Sequence, residues 1–333
     1  MNSRTTILFT LLSALLALLF IADIAIGAVN IPISKVWAAL TGGDVELSTL
    51  RIVKDIRLMK ALTALLSGVA LSLSGLQMQT LFRNPLAGPY VLGISSGASL
   101  GVALLMLGLP IFGVSASGVL SNFGVAGAAW AGSAIVLMVI AAVSSRIKDI
   151  MVILILGIMF SSGIGAVVQI LQYLSEEESL KSFIVWSMGS LGDVTSTQLL
   201  ILAPSVIVGV ILSVAVIKPL NLLLMGENYA RTMGLDVKRS RHLIFLSTTL
   251  LAGTTAAFCG PIGFVGLAVP HLARMLFARA DHKILMPASA LMGSSLMLLC
   301  DLVSKSLTLP INTITALLGI PVVVWVVIRN KSI

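Results

Sequence analysis

Apolar runs of about twenty residues, separated by short polar breaks, recur along the chain from Ile7 to Val327. A helix rising 1.5 Å per residue needs about 20 such residues to cross a hydrocarbon layer about 30 Å thick. The pattern predicts ten spanning helices, near residues 7–29, 57–81, 91–109, 118–144, 150–174, 195–217, 243–258, 262–277, 284–304 and 310–328. The two shortest, 91–109 and 262–277, are rich in Gly and Pro. This is an all-α polytopic membrane protein, read as a single transmembrane domain over residues 1–333. The first run follows only Arg4 and is too long for a signal-peptide core, and no small-residue cleavage site precedes Asp23, so it reads as a retained helix.

Three segments between the spans carry patterns of their own. Residues 30–55 form a long polar stretch in which Ile33 to Leu40 has amphipathic helical spacing, the pattern of a helix lying flat on a membrane. Residues 181–192, ending in Trp186 to Gly192, are too short to span and suggest a re-entrant half-helix. Residues 218–242 form the second long polar segment. An internal repeat is also suggested. Leu65-Leu66-Ser67-Gly68 followed by the break at 84–89 resembles Leu250-Leu251-Ala252-Gly253 followed by the break at 260–264, with opposite predicted directions. Inverted repeats around interrupted helices are a common transporter plan.

Composition sharpens the class. Hydrophobic residues make up 58% of the chain and charged residues 10%, against about 25% charged in ordinary soluble domains. The net charge of +8 is divided among short loops and so carries topology rather than nucleic-acid binding. With the N-terminus inside, the inner segments hold Arg4, Arg83, Arg146, Lys148, Lys218, Arg231, Lys238, Arg239, Arg241, Arg274, Arg279, Lys283, Arg329 and Lys331, twice as many basic residues as the outer ones. The outer segments hold the acidic run Glu176 to Glu178. Both termini are therefore expected on the cytoplasmic side. Cys259 and Cys300 sit in apolar segments and supply neither a disulfide framework nor a metal cluster.

Two motifs stand out as candidate machinery. From Arg83 to Ala98 the chain stops one helix and starts another: Pro85 and Pro89 cannot continue a helix, and Gly93 and Gly97 allow close backbone approach. A tight packing turn would need the same residues. However, Asn84, Ser95, Ser96 and freed carbonyls at membrane depth are tolerated mainly where they line a cavity. From Gly226 to Lys238 the pattern is a short helix, supported by Glu227 and Arg231 at i, i+4 and closed by Gly234. That segment suits either a solvated loop helix or a docking element. No P-loop is present and no catalytic constellation or metal cluster can be assembled, so hydrolysis of ATP by this chain is not expected. His242, His271 and His282 lie at the inner face and read as satisfied interfacial histidines rather than ligands.

Several ordered motifs together resemble the FecCD-type permeases, the family of the vitamin B12, haem and iron-siderophore importers. They are Arg57-Leu58, Asn84 to Ala87, Gly93 to Ala98, Gly226-Glu227 through Gly234, Gly263 to His271, Asp281-His282 and Leu318 to Pro321. The resemblance implies a homodimer of ten-helix subunits in the bacterial inner membrane, with the pathway on the dimer axis. It also implies two cytoplasmic ATP-binding cassette ATPases, which would hold ATP and magnesium, and a periplasmic or lipid-anchored substrate-binding protein. This chain would then bind no cofactor itself. The turn carrying Asn84, Pro85 and Leu86, with Gly93, Ser95, Ser96 and Gly97, would form the cytoplasmic gate and pathway. Gly226, Glu227, Ala230, Arg231 and Gly234 would belong to the helix seated in the ATPase. Arg57, Lys60 and Lys305 would meet carboxylates on the binding protein, more loosely than three Arg would. Anchoring of helix ends at the lipid headgroups is the other reading of those three.

An ion-coupled secondary transporter is the rival class. It needs an ionisable group at mid-membrane, and only Asp23 and Asp301 approach that role, both near predicted outer helix ends. A scaffold without transport is a third class. A large iron chelate is the expected substrate, with cobalamin second; the few aromatics outline no recognisable pocket.

Overall fold

The computed structural model describes residues 3–27, 29–111, 122–147 and 149–330, and every regular element among them is helical. In chain order these are α1 (Ser3–Ala25), α2 (Ile33–Thr41), α3 (Leu47–Leu81), α4 (Ile94–Ile111), α5 (Asn122–Arg146), α6 (Ile150–Leu174), α7 (Glu177–Ser187) and α8 (Ser196–Ala215). They continue with α9 (Ile217–Leu224), α10 (Glu227–Thr232), α11 (Val237–Cys259), α12 (Val265–Phe277), α13 (His282–Leu307) and α14 (Ile311–Asn330). Eight of them are long and apolar enough to cross a membrane, and α12 and α14 are shorter apolar helices. The chain is a multi-pass membrane protein. The predicted start of the fourth span at 118, and the basic residues Lys148 and Lys331, lie outside the described residues.

The core is built on α3, which is buried on nearly every face from Ser67 to Leu81. Antiparallel to it runs α13. Lys60 meets Asp301 at one end of the pair, Gly68 meets Gly293 in the middle, and Thr80 meets His282 at the other end. Small residues set this spacing: a Cβ on Gly68 would fall 2.4 Å from the Gly293 carbonyl oxygen. The same device joins α4 to α5, where a Cβ on Gly132 would lie 1.9 Å from the Gly97 carbonyl oxygen. Between helices surrounded by lipid, close packing replaces hydrophobic attraction as the source of association. The end of α3 near Thr80, together with α9, α10 and the start of α11, forms a face rich in Lys and Arg, called here the basic face. The Lys60 end forms the opposite face.

The chain breaks just before both Gly- and Pro-rich predicted spans, which begin three residues later than expected. After α3 the chain turns back on itself and α4 begins only at Ile94, while α12 begins only at Val265. The breaks meet beside the middle of α3. A Cβ on Gly266 would touch Leu71 and Pro89, and the Tyr90 hydroxyl donates to the Ile262 carbonyl at 2.7 Å. The ends of the two breaks thus pack together beside α3, the arrangement expected where irregular backbone is buried by protein.

Several boundaries differ from the sequence expectation. The third helix begins at Leu47 rather than near 57, because the polar residues Ser48, Thr49, Arg51, Lys54 and Asp55 continue the helix past its apolar part. Its first turns include a π-helical stretch, Ile52–Leu58. Likewise α11 starts at Val237, capped by the Asp236 carboxylate, which accepts from the Arg239 N–H at 3.0 Å. The half-helix expected at 181–192 is α7, Glu177–Ser187. Its following turn docks on the ends of α11 and α14 through Ser190 N–H to the Cys259 carbonyl (2.8 Å) and Asn312 N–H to the Met188 carbonyl (3.3 Å). The flat amphipathic helix is α2, closed by Gly42 in the left-handed conformation.

Candidate functional site: a fastened turn, a clamped surface helix and a charge cluster

The turn after α3 is held from several directions. The Asn84 side chain accepts from the Leu86 N–H at 2.9 Å, a local turn that fixes the segment after Arg83, itself at φ 48°. Pro85 and Leu86 face outward, and Asn84 is half-buried. The Nε2–H of His271 on α12 donates to the Pro85 carbonyl at 2.8 Å. The Gln79 amide donates to the Leu267 carbonyl at 3.0 Å and accepts from Arg274. Of the other pathway candidates, Ser95 and Ser96 are half-buried on the first turn of α4. Gly93 adopts φ 75° at the start of that helix, and Gly97 lies in the tight contact with Gly132. Sequence reasoning did not single out Gln79 or Arg274 and read His271 only as satisfied. The signal for Gln79 and Arg274 was present: polar side chains inside apolar runs must find partners.

On the basic face, α10 is fixed from within. The Glu227 carboxylate pairs with the buried Arg241 of α11 and lies 3.8 Å from Arg231, the anticipated i, i+4 partner. Arg241 Nε donates to Glu227 at 3.1 Å, and its Nη1 reaches the Ile147 carbonyl before α6 at 3.4 Å. Ala230 is wholly buried, and Gly226 and Gly234 take positive φ at the two ends of the helix. Met225, Tyr229 and Met233 point away from the protein. Thus the residues read as the contact surface divide. Glu227 and Ala230 face the protein, and the outward surface belongs to Arg231 and to Met225, Tyr229 and Met233, which were given no role from the sequence.

On the opposite face, the three expected docking cations are already engaged. Arg57 sits on the π-helical turn and is buried. It donates to the carbonyls of Ile24 (3.1 Å), Ala25 (2.7 Å) and Val29, closing the end of α1. Gly27 makes room for it, since a Cβ there would fall 2.9 Å from the Arg57 Nε. Lys60 lies 3.0 Å from Asp301, and Lys305 lies 2.8 Å from both Asp301 and Asp23. Both aspartates have no exposed surface. Within the chain, the two lysines thus share two buried carboxylates, and Arg57 donates to main-chain carbonyls. The same pairing explains why Asp23 and Asp301 are tolerated in apolar helices.

The helical architecture around a small-residue core now stands beside the sequence motifs, and a family model described as the FecCD transport family matches residues 15–329. The chain belongs to the FecCD transport family. Within it the chain is 34% identical, over 100% of its length and 99% of the relative's, to the hemin transport system permease protein of Yersinia pestis. It is 35% identical to the vitamin B12 import system permease protein of Salmonella typhi, over 83% of each chain. Among solved structures, one described as an inward-facing conformation of a metal-chelate type ABC transporter superposes with a TM-score of 0.83 at 31% identity, covering 97% of this chain and 99% of that one. FecCD membership makes this chain a transport permease of the ABC importer class.

Proposed function

We propose that this FecCD permease works as a homodimer in a bacterial inner membrane. Two separate ATPase subunits on the basic, cytoplasmic face would bind ATP and magnesium and drive import, while a substrate-binding protein delivers cargo at the opposite face. Both termini then lie in the cytoplasm. Transport proceeds by alternating access: closure of the ATPases displaces α10, and the inner and outer gates exchange which one is open. The observation that carries this reading is α10 itself. It is a short helix outside the apolar layer, pinned by Glu227 and Ala230, that presents Met225, Tyr229, Arg231 and Met233. Large apolar side chains clustered on an otherwise polar surface indicate a partner.

A large iron chelate, a siderophore complex or haem, is the proposed cargo, supported by the hemin permease relative. Vitamin B12 is the second reading, supported by the Salmonella typhi relative. Asn84, Pro85, Leu86, Ser95 and Ser96 form the proposed inner gate and pathway, with Gly93 and Gly97 setting the backbone around them. Docking of the binding protein narrows to Lys60 and Lys305, the two of the three cations that retain some exposure. The assembly is tested by Met233→Cys in the co-expressed transporter. A thiol cross-linker should join this position to the ATPase subunit, and Leu200→Cys, exposed on α8 within the spanning region, should give no such product. Equal cross-linking at both positions, or at neither, would remove α10 as the ATPase contact.

A further inference from the structure

The Asp281-His282 pair at the start of α13 has no part in the gate or in the proposed ATPase contact, yet His282 has no exposed surface and is bonded on both ring nitrogens. Its Nδ1 and its main-chain N–H both meet the Asn221 side-chain oxygen of α9, at 2.7 and 2.9 Å. The Asn221 amide donates in turn to Asp281 at 2.7 Å, and the same carboxylate oxygen caps α13 by accepting from the Lys283 N–H at 3.0 Å. On the far side of the ring, Nε2 lies 2.8 Å from the Thr80 hydroxyl in the last turn of α3. Leu220 and Leu223 of α9 are buried beside this joint.

Thr80 is also where the gate turn hangs. Its carbonyl accepts from the Arg83 N–H at 3.2 Å, and the neighbouring Gln79 carbonyl accepts from the Asn84 N–H at 3.1 Å. A continuous path therefore runs from α9, which is joined to α10 through Met225 and Gly226, across Asn221 and His282 to Thr80, and on to Asn84, Pro85 and Leu86. The links at His282, to Asn221 on one side and to Thr80 on the other, are hydrogen bonds between buried or half-buried groups, and each would cost about 1–3 kcal/mol to leave unmade. Such a path transmits displacement only if its members move together.

We infer that His282 is a positioning residue for transport: it ties the arm bearing the ATPase-facing helix to the end of α3, so that displacement of α10 moves the turn at 84–86. The inference rests on the proposed ATPase contact and adds the route by which it reaches the gate. Arg241 of α11 pairs with Glu227 in the first turn of α10, so the arm made of α9 and the start of α10 is fastened at a second point besides His282. The ring itself contacts no substrate.

The test needs no knowledge of the cargo. In the reconstituted transporter, complete with its ATPase, the reaction rate of Leu86→Cys with a membrane-impermeant maleimide is measured without nucleotide and with ATP plus vanadate. The native Cys259 and Cys300 are buried and give little background. Nucleotide should change the Leu86→Cys rate about tenfold or more in the parent. Thr80→Val, which keeps the shape and removes the hydroxyl, and Asn221→Ala, which cuts the other side of the joint, should each reduce that change to less than about twofold. Thr80→Ser should restore it. In both broken-joint variants, Met233→Cys should remain shielded by the ATPase as in the parent, a result that general misfolding would not give. Full nucleotide dependence at Leu86→Cys in Thr80→Val and in Asn221→Ala would overturn the relay while leaving the ATPase contact intact. Absence of ATPase shielding at Met233→Cys in the parent would instead overturn the contact, and the relay with it.

Discussion

Replacing Asp301 by Leu removes one carboxylate that serves two cations, Lys60 at 3.0 Å and Lys305 at 2.8 Å. At about 3 Å and an effective dielectric near 20, each contact supplies about 5 kcal/mol of attraction, most of it offset by the cost of taking the charges out of water. Loss of one partner of a buried pair costs about 3–5 kcal/mol, because the remaining charge stays buried without compensation. The lower part of that range applies here: the Lys60 side chain is 21% exposed and can turn toward water, and Lys305 keeps Asp23. We therefore expect Asp301→Leu to destabilise the permease by about 3 kcal/mol, read as an earlier thermal transition of the purified protein in detergent. The decisive variant is the double mutant Asp301→Leu with Lys60→Met. It leaves Asp23 and Lys305 as a balanced pair and should recover most of the loss, since apolar replacement of a whole buried pair is often neutral. If the single variant melts with the wild type, or if Lys60→Met makes it worse, the cluster does not hold α1, α3 and α13 together as described.

Other consequences follow from packing and from the clamp. Gly132→Ala should separate α4 from α5 and cost about 1–3 kcal/mol, whereas Gly127→Ala, where a Cβ meets nothing within 4 Å, should be neutral or stabilising by up to about 1 kcal/mol; both are read by thermal melting. Glu227→Ala removes the carboxylate partner of Arg241 and should loosen α10, so that transport and ATPase association fall together, measured by co-purification. An exposed change such as Met233→Asp should impair association with little effect on the melting of the permease alone. Leu86→Ala should raise passive leak of cargo through the nucleotide-free transporter in vesicles, and a leak equal to that of the wild type would take Leu86 out of the gate.

The spans were legible because a bilayer imposes one strong requirement, about twenty apolar residues per crossing, and the chain meets it repeatedly. Boundaries were less so, because hydropathy registers the edge of the apolar layer and not the end of the hydrogen-bonded helix. Leu47 to Ile56 and Val237 to His242 are helical yet polar, and both were read as parts of loops. At the sites, motifs located the segments but not the direction of each side chain. Ala230 and Glu227 belong to the right helix, but Glu227 turns inward to pair with Arg241, fourteen residues further along. The charge cluster was missed for a related reason. Asp23 and Lys305 are 282 positions apart, and only the packing of α1 on α13 brings them together. Counting cations on one face therefore left out the carboxylates that pair with them inside the chain.

The central claim, that this chain moves cargo only under the control of an ATPase, is tested most directly by uptake into proteoliposomes supplied with the binding protein and either haem, a ferric siderophore or cobalamin. With the ATPase present, uptake of one of these should require ATP inside the vesicles and stop with vanadate; the permease alone should accumulate nothing. Accumulation by the permease alone, driven by a proton or sodium gradient, would contradict the account and return the chain to the ion-coupled class.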